Sequence, residues 1–288
     1  VVTPEARAGE HQIQPVPNPV HQMPVQTYST IREHDPDIDR FGMIWVNFPG
    51  PMTIAEQVRE MVEASGYDIV FDQQAQPEGE RGWASFVREM RDNDVQVVEY
   101  VGEPEDMTRL LDAMQVEGWY PEYVLGQANM YDQMLVDGAG ESLGEGGVLT
   151  RSSFPPFDLG DEVPALGDYL ALMDEYRPDG KYPALLGFQA LSAWLLFAQS
   201  ATECGDDLTR DCLLDNAAAV DEWTAGGLHG TTNPGNLEAS QCGLMLRVLP
   251  EGFVIDEELT DANEGLYNCS PDNVMDLAGD YGVEAPAR

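Results

Sequence analysis

The chain has 288 residues and a formal net charge of −38, because 52 acidic residues outnumber 14 basic ones. This length is enough for two domains with separate cores, and a hydrophobic content of 43% is typical of a folded chain. The charge argues against a nucleic-acid partner, since neutralising phosphates requires clustered Lys and Arg and the chain has a single lysine, Lys181.

Regular structure is predicted to begin at Phe41, after an extended segment with five prolines in its first 24 residues. An apolar strand at 43–48 precedes Thr53-Ile-Ala-Glu56, which has the form of a capping box and predicts the start of a helix. Gly66 is predicted to end this helix just before a strand at 67–71. The first predicted unit is therefore β-α-β.

The same alternation continues to residue 150. Helices and strands are predicted in turn at 83–90, 95–101, 107–114 with Gly118 after it, 123–126, and near Val148. Strands that alternate with helices require a parallel sheet covered by helices, so the fold class is α/β.

The second half of the chain is predicted to be mainly helical. Helices are predicted at 166–173, 184–201 and 209–220, and the second of these is apolar enough to be a buried core helix. A hairpin follows, with strands at 242–249 and 253–255 joined by a turn at 250–252.

The four cysteines are predicted to form disulfides, because they are even in number and none has a CxxC spacing. Sequence alone allows three pairings of Cys204, Cys212, Cys242 and Cys269. A local Cys204–Cys212 pair is favoured, since the short loop of Gly, Asp and Thr between them lets its ends meet. Structural disulfides indicate an oxidising compartment.

Candidate binding residues follow the strands of the predicted sheet, because ligands of parallel α/β sheets bind beyond the carboxyl ends of the strands. Glu103 can pair with a ligand ammonium, while Gln127, Asn129 and Tyr131 can supply hydrogen bonds. The alternatives are that Glu103 only favours the start of the next helix and that Tyr131 only packs.

No catalytic or metal-binding pattern is present in the sequence. It has no GxSxG, HExxH, Walker or GxGxxG motif in the required context, and its four histidines do not have the spacing of a metal site. The sequence therefore predicts no catalytic residue, no metal and no cofactor.

Several longer stretches carry a resemblance to a known family through their order and spacing. They are 66–71, 86–90, 97–102, 190–198 and 204–212. From about Asp39 to Ile255 the sequence resembles the type I periplasmic-binding-protein superfamily, in the branched-chain amino acid (Leu/Ile/Val) binding group of ABC-transporter receptors.

That resemblance implies two Rossmann-like lobes with parallel sheets, joined by a hinge. It implies an extended segment and hinge approach at 1–40, the second lobe at 41–150, a helical return to the first lobe at 151–235, and a second-lobe hairpin with an acidic tail at 236–288. The strand–helix half of the first lobe that normally precedes residue 1 is expected to be missing from this sequence.

The resemblance also implies a function without catalysis. The expected protein is an extracytoplasmic receptor, periplasmic or cell-surface with a lipid anchor as one option, that captures an amino acid, amide or short peptide for an ABC transporter permease. A ligand-binding sensory domain is the alternative, and an α/β enzyme using the same crevice is a less favoured one.

Solute contacts are implied for the loops that match the family by position. They are Gly50, Pro51, Met52, Glu103, Pro104, Gln127, Asn129 and Tyr131. The family's usual tyrosine after the third strand aligns with Glu103, and its usual acidic residue lies near Asn129. These departures make Glu103 the expected ammonium contact and add polyamine-like compounds to the solute classes.

Overall fold

The computed structural model describes residues 12–76, 82–144, 146–178, 184–236, 238–279 and 281. These residues divide into two compact units. Unit 1 contains the described residues of 1–24, 153–243 and 262–288, and unit 2 contains those of 25–152 and 244–261.

The described residues form ten strands and nine α-helices, besides short 3₁₀ turns. The strands are β1 (Gln22–Pro24), β2 (Arg40–Val46), β3 (Asp68–Ala75), β4 (Val97–Val101), β5 (Tyr123–Gly126), β6 (Val148–Ser152), β7 (Cys242–Leu249), β8 (Gly252–Ile255), β9 (Asn268–Cys269) and β10 (Val274–Asp276). The helices are α1 (Gln26–His34), α2 (Pro49–Ala64), α3 (Trp83–Asp92), α4 (Pro104–Glu117), α5 (Gln133–Ala139), α6 (Pro164–Tyr176), α7 (Leu185–Cys204), α8 (Arg210–Ala218) and α9 (Glu257–Thr260).

Unit 2 is an α/β unit built on a mixed sheet with the strand order β3-β2-β4-β5-β6-β7-β8. The first five strands are parallel, and the β7–β8 hairpin closes the order antiparallel to β6. The α/β fold class and the hairpin predicted from sequence are confirmed. All five residues of β4 are buried, as expected for a central parallel strand covered on both faces.

Helices cover both faces of this sheet. Neighbouring side chains of a strand point to opposite faces. Tyr28 of α1 contacts Glu99, whereas Trp83 of α3 packs edge-on against Tyr100, with ring centroids 5.9 Å apart. Because Glu99 and Tyr100 are adjacent in β4, α1 and α3 lie on opposite faces.

The predicted start of α2 at Thr53 is wrong. The helix begins four residues earlier at Pro49, after Phe48 as the N-cap residue. Proline is favoured in the first turn because its fixed φ suits the helix and its missing N–H would have no partner there. The Thr53 hydroxyl donates to Pro49 O within the helix, 3.2 Å away, so it does not cap.

The N-terminal segment also contains more regular structure than its prolines predicted. Residues 26–34 form α1, in which Tyr28 and Ile31 are buried three positions apart. The Tyr28 ring packs edge-on against Phe41 of β2 at 6.1 Å. Tertiary burial of this short apolar face therefore outweighs the weak periodicity of the sequence.

Unit 1 combines the antiparallel pair β1–β10 with helices α6, α7 and α8. Two disulfides link Cys204 to Cys212 and Cys242 to Cys269, which confirms the predicted oxidised cysteines and the favoured local pair. Cys242 and Cys269 are partners in the β7–β9 ladder. Thr209 caps α8 by accepting from Cys212 N, at 3.2 Å.

Helix α7 is less buried than its composition predicted. Its buried residues recur every three or four positions and form one stripe: Leu185, Phe188, Ser192, Leu196 and Ser200. Large apolar side chains on its other side are exposed, including Leu186 (65%) and Trp194 (67%). The core-helix prediction is therefore wrong, because an apolar composition does not reveal which faces have neighbours.

In the described part of the chain, no helix combines the length and apolarity needed to cross a bilayer.

Candidate functional site

The candidate site lies where β2, β4 and β5 end. These strands are neighbours in the parallel sheet, so the residues after them lie side by side along one border. We call residues 47–52, 102–105 and 127–131 the carboxyl edge. All the binding residues predicted from sequence belong to it, and all lie in unit 2.

Gly50, Pro51 and Met52 lie in the first turn of α2 and not in a loop. This turn is a poor site for an anion, although helix N-termini usually attract them. Two of its residues are prolines without an N–H, and Met52 N donates to Phe48 O at 2.9 Å, which leaves the Gly50 amide. The turn is instead apolar at its surface, with Phe48 62% and Met52 39% exposed.

Glu103 and Pro104 form the start of α4. Glu103 is the exposed N-cap residue, with its backbone carbonyl accepting from Asp106 N and Met107 N at 3.1 and 3.2 Å. Pro104 is buried and has no N–H to offer a ligand. Glu105 and Asp106 add negative charge to the same turn, where the helix dipole favours acidic side chains, and Asp106 is paired with Arg109.

Gln127 and Asn129 both direct their side-chain amide nitrogen into the protein. Gln127 Nε2 donates to a carboxylate oxygen of Glu99, and Asn129 Nδ2 donates to Gly102 O at 2.9 Å. The second bond ties the segment after β5 to the segment after β4. With their nitrogens engaged, the two amides have their carbonyl oxygens as the atoms best placed to accept from a ligand.

Tyr131 is the last residue of the carboxyl edge, but its side chain points into the protein core. Its side chain is completely buried, and its ring packs edge-on against Phe253 of β8 with centroids 4.8 Å apart. The structure thus brings seven of the eight predicted residues to the border of the sheet and places Tyr131 in the packing beneath it.

Glu99 was not among the residues predicted from sequence. It is a buried residue that hydrogen-bonds to Gln127 of the carboxyl edge. It is 2% exposed, and its carboxylate accepts from Tyr28 Oη at 2.8 Å and from Gln127 Nε2. Burial raises the pKa of Glu99 to about 7, and the two hydrogen bonds partly oppose this rise. The signal in the sequence was a charged residue in the middle of the apolar run Val97–Val101, because charged residues are rarely fully buried without a role.

The carboxyl edge as a whole is acidic and rich in hydrogen-bond acceptors. Within residues 47–52, 102–105 and 127–131 there is no Lys, Arg or His, while Glu103 and Glu105 carry negative charge. An ammonium or N–H group is therefore matched to this border, and a free carboxylate is not.

The described residues offer one potential metal cluster elsewhere, formed by Cys242, Glu264 and Cys269. Both sulfurs of this cluster are joined in a disulfide. Thiolates are the metal-binding form of cysteine, so the cluster is not suited to hold a metal ion.

A buried serine–histidine pair lies in unit 1. His229 Nδ1 is 2.7 Å from Gly230 O, which only accepts, so Nδ1 carries the proton and Nε2 accepts from Ser192 Oγ at 2.8 Å. Trp223 Nε1 donates to the same hydroxyl at 2.9 Å. Ser192 is fully buried and His229 is 1% exposed, which indicates a structural pair and not a nucleophile with its base.

Acid is expected to destabilise unit 1 through His229. Burial lowers the pKa of His229 from 6.5 to about 4, so the unfolded chain takes up a proton that the folded chain resists. The free energy of unfolding is unaffected by His229 protonation above pH 6.5. It falls as the pH drops towards 4, by about 3 kcal/mol in total. Urea unfolding between pH 7 and pH 5 should show a smaller loss in His229→Gln than in the wild type. Equal losses in the two proteins would contradict this assignment, because every other group titrates in both.

The chain matches a known protein family. A family model described as "Periplasmic binding protein" matches residues 16–252. Because this match covers most of the sequence, the chain belongs to the periplasmic binding protein family. No curated protein sequence matches the chain significantly.

Solved structures share the fold at low sequence identity. A branched-chain amino acid ABC transporter protein from Thermus thermophilus with bound valine has a TM-score of 0.70 at 13% identity over 91% of this chain. A fatty acid ABC transporter substrate-binding protein from Thermomonospora curvata has 0.68 at 16% over 92%. A branched-chain amino acid ABC transporter protein from Rhodospirillum rubrum has 0.60 at 19% over 80%.

This chain is shorter than those proteins. It spans 68%, 67% and 64% of their respective lengths. At such identities the structural likeness establishes the type I periplasmic-binding-protein fold, and the family match across residues 16–252 agrees with it.

Proposed function

We propose that the chain is the solute-binding part of an extracytoplasmic receptor that serves an ABC importer. The observation that supports this proposal most strongly is the family match across residues 16–252. Solved proteins with the same fold are described as ABC transporter proteins for branched-chain amino acids or fatty acids. Under this proposal the protein works in the periplasm or at the cell surface, and its macromolecular partner is the transporter permease.

The carboxyl edge favours an amine or amide solute over a fatty acid. Its exposed carboxylate, Glu103, and the amide oxygens of Gln127 and Asn129 accept hydrogen bonds, whereas its prolines remove backbone donors. A carboxylate at this border would be repelled by Glu103. We therefore propose that the ammonium or amide N–H of an amino acid, amide, short peptide or polyamine-like compound contacts unit 2.

An apolar part of the solute is also expected at this border. Phe48 and Met52 are exposed beside Gly50, and exposed apolar side chains that lie close together can mark a ligand-binding groove. Their position suits the aliphatic part of a solute whose polar end meets Glu103 and Gln127. The combination matches a small amphipathic amine better than a sugar.

This proposal predicts selective binding that depends on Glu103. In a thermal-shift screen, amines and amides with aliphatic groups should raise the melting temperature, because a ligand at about a hundredfold excess over Kd stabilises by about 2.7 kcal/mol. Glu103→Gln should weaken the affinity for an ammonium solute about fivefold, the effect of losing one partly exposed charge pair.

The matched control is Glu251→Gln. Glu251 carries the same charge but lies in the β7–β8 turn. Because β7 runs antiparallel to β6, this turn is at the opposite border of the sheet. An unchanged affinity in Glu103→Gln, or an equal loss in the control, would argue against a solute ammonium at Glu103.

A further inference from the structure

The Glu99 carboxylate has both of its oxygens occupied by neighbours within unit 2. Tyr28 Oη donates to Oε2 at 2.8 Å, and Gln127 Nε2 donates to Oε1. The residues in register with Glu99 on the adjacent strands are Met43 and Leu125, which carry no charge. Glu99 is therefore a buried acceptor whose two donors are fixed.

This arrangement determines how Gln127 is turned. An ionised carboxylate only accepts hydrogen bonds, so the amide of Gln127 has to face Glu99 with its nitrogen. The carbonyl oxygen is then the polar atom of the amide that does not face Glu99. The backbone carbonyl of Gln127 also accepts from Thr150 Oγ1 at 3.1 Å, which holds the residue at its main chain as well.

We propose that Glu99 is a positioning residue that sets the hydrogen-bond polarity of the solute site by holding the Gln127 amide oxygen towards the carboxyl edge. The oxygen then accepts from an ammonium or amide N–H of the solute. This inference rests on the proposed receptor function for its ligand, but the orientation of Gln127 is a property of the protein alone.

Protonation of Glu99 reverses this polarity. A neutral carboxylic acid can donate one hydrogen bond, so the Gln127 amide can turn round, accept from Glu99 and present its nitrogen to the edge. The raised pKa of Glu99, about 7, places this change near neutral pH. The titratable group of α1 that contacts Glu99 is Tyr28. Two other titratable residues nearby bond to α1 instead: Tyr67 Oη donates to Tyr28 O at 3.0 Å, and Arg151 of β6 donates to Gln26 at 2.9 Å.

Two small probes with the same isobutyl group test the polarity of the site. We would titrate the protein calorimetrically with 3-methylbutylamine, which only donates at pH 8, and with 3-methylbutanoate, which only accepts. The wild type should bind the amine more tightly than the carboxylate at pH 8. The ratio of the two affinities should be at least tenfold smaller at pH 5.5. Glu99→Gln should lose the preference for the amine at pH 8 and show no further change with pH.

An exchange of the two side chains separates positioning from packing. In the double variant Glu99→Gln with Gln127→Glu, the amide at position 99 donates to the new carboxylate, whose second oxygen faces the edge. Amine binding should return to within about threefold of the wild type. Tyr67→Phe, which removes a hydroxyl from the same buried cluster without touching Glu99, should leave the preference unchanged. A Glu99→Gln variant that keeps both the preference and its pH dependence would overturn the proposal while leaving the receptor function intact.

A measurement without any solute tests the same proposal. The side-chain NH₂ resonances of Gln127, assigned by their loss in Gln127→Met, should shift with a midpoint near pH 7 in the wild type. They should not titrate in Glu99→Gln. Resonances that are insensitive to pH in the wild type would refute the coupling even if neither probe binds.

Discussion

Glu99→Gln is expected to raise the free energy of unfolding at pH 8 by up to about 3 kcal/mol. Burial raises the pKa of Glu99 from 4.5 to about 7, so the ionised form is less stable in the folded chain than in the unfolded chain. This penalty is complete above pH 7 and fades as the pH falls towards 4.5, where the folded carboxyl is protonated. A neutral glutamine of the same shape avoids the penalty and can still bond Tyr28 and Gln127.

Urea unfolding of the wild type and Glu99→Gln at pH 8 and pH 5 measures this difference. The gain should be large at pH 8 and small at pH 5. Glu103→Gln serves as the control, since Glu103 is exposed and its replacement should alter stability little at either pH. A Glu99→Gln variant that is less stable than the wild type at pH 8 would show that the ionised carboxylate stabilises the fold.

Loss of the Cys242–Cys269 disulfide is expected to cost about 3.5 kcal/mol. The two cysteines are 27 positions apart, and the chain-entropy effect of a crosslink grows with the loop that it closes. The Cys204–Cys212 disulfide spans 8 positions, for which the same relation gives about 2.5 kcal/mol. Cys242→Ala with Cys269→Ala should therefore lower the free energy of unfolding more than Cys204→Ala with Cys212→Ala.

The relative order of these two losses is the informative result. Cys242 is buried and lies opposite Cys269 in the β7–β9 ladder, so local packing adds to the effect of the longer loop. Denaturant unfolding of both double variants under identical conditions gives the order directly. A larger loss for the Cys204–Cys212 pair would mean that the helix ends joined by that disulfide matter more than loop length.

Elements whose signals are local were predictable from the sequence. Strand β5 was predicted with its exact bounds, and α4 ends as predicted at Gly118, which adopts a left-handed conformation that suits glycine. The β7–β8 hairpin follows from a turn between two apolar runs. In each case, residues adjacent in sequence determine the structure.

Features that depend on distant residues were not predictable in the same way. The start of α2 was predicted from a capping box at Thr53, whereas the helix begins at Pro49 in the packed structure. The exposed side of α7 depends on which neighbours are present, and an apolar sequence does not state this.

The candidate site shows the same division. The family resemblance and the strand-end rule led to Glu103, Gln127 and Asn129, which lie at the carboxyl edge. Glu99 was not predicted because its role depends on Tyr28, 71 positions earlier, and on Gln127, which follows the neighbouring strand β5. A charge in the middle of a buried strand was visible in the sequence, but its partners were not.

A buried carboxylate that reduces stability calls for a functional reason, since Glu is rarely fully buried and strongly perturbed groups cluster at functional sites. The orientation of Gln127 supplies that reason. We expect Glu99→Gln to gain stability and to lose amine affinity. The two results together would show a stability–function trade-off at this site.

The most direct test of the receptor proposal is to identify the small molecules that the purified protein carries. Protein purified without added ligand would be denatured, and the released compounds would be identified by mass spectrometry and counted against the protein. We predict an amine- or amide-bearing solute that is enriched over a Glu103→Gln, Gln127→Ala double variant prepared in parallel. Release of the same compounds in equal amounts from both proteins, or of an anionic solute alone, would contradict the account.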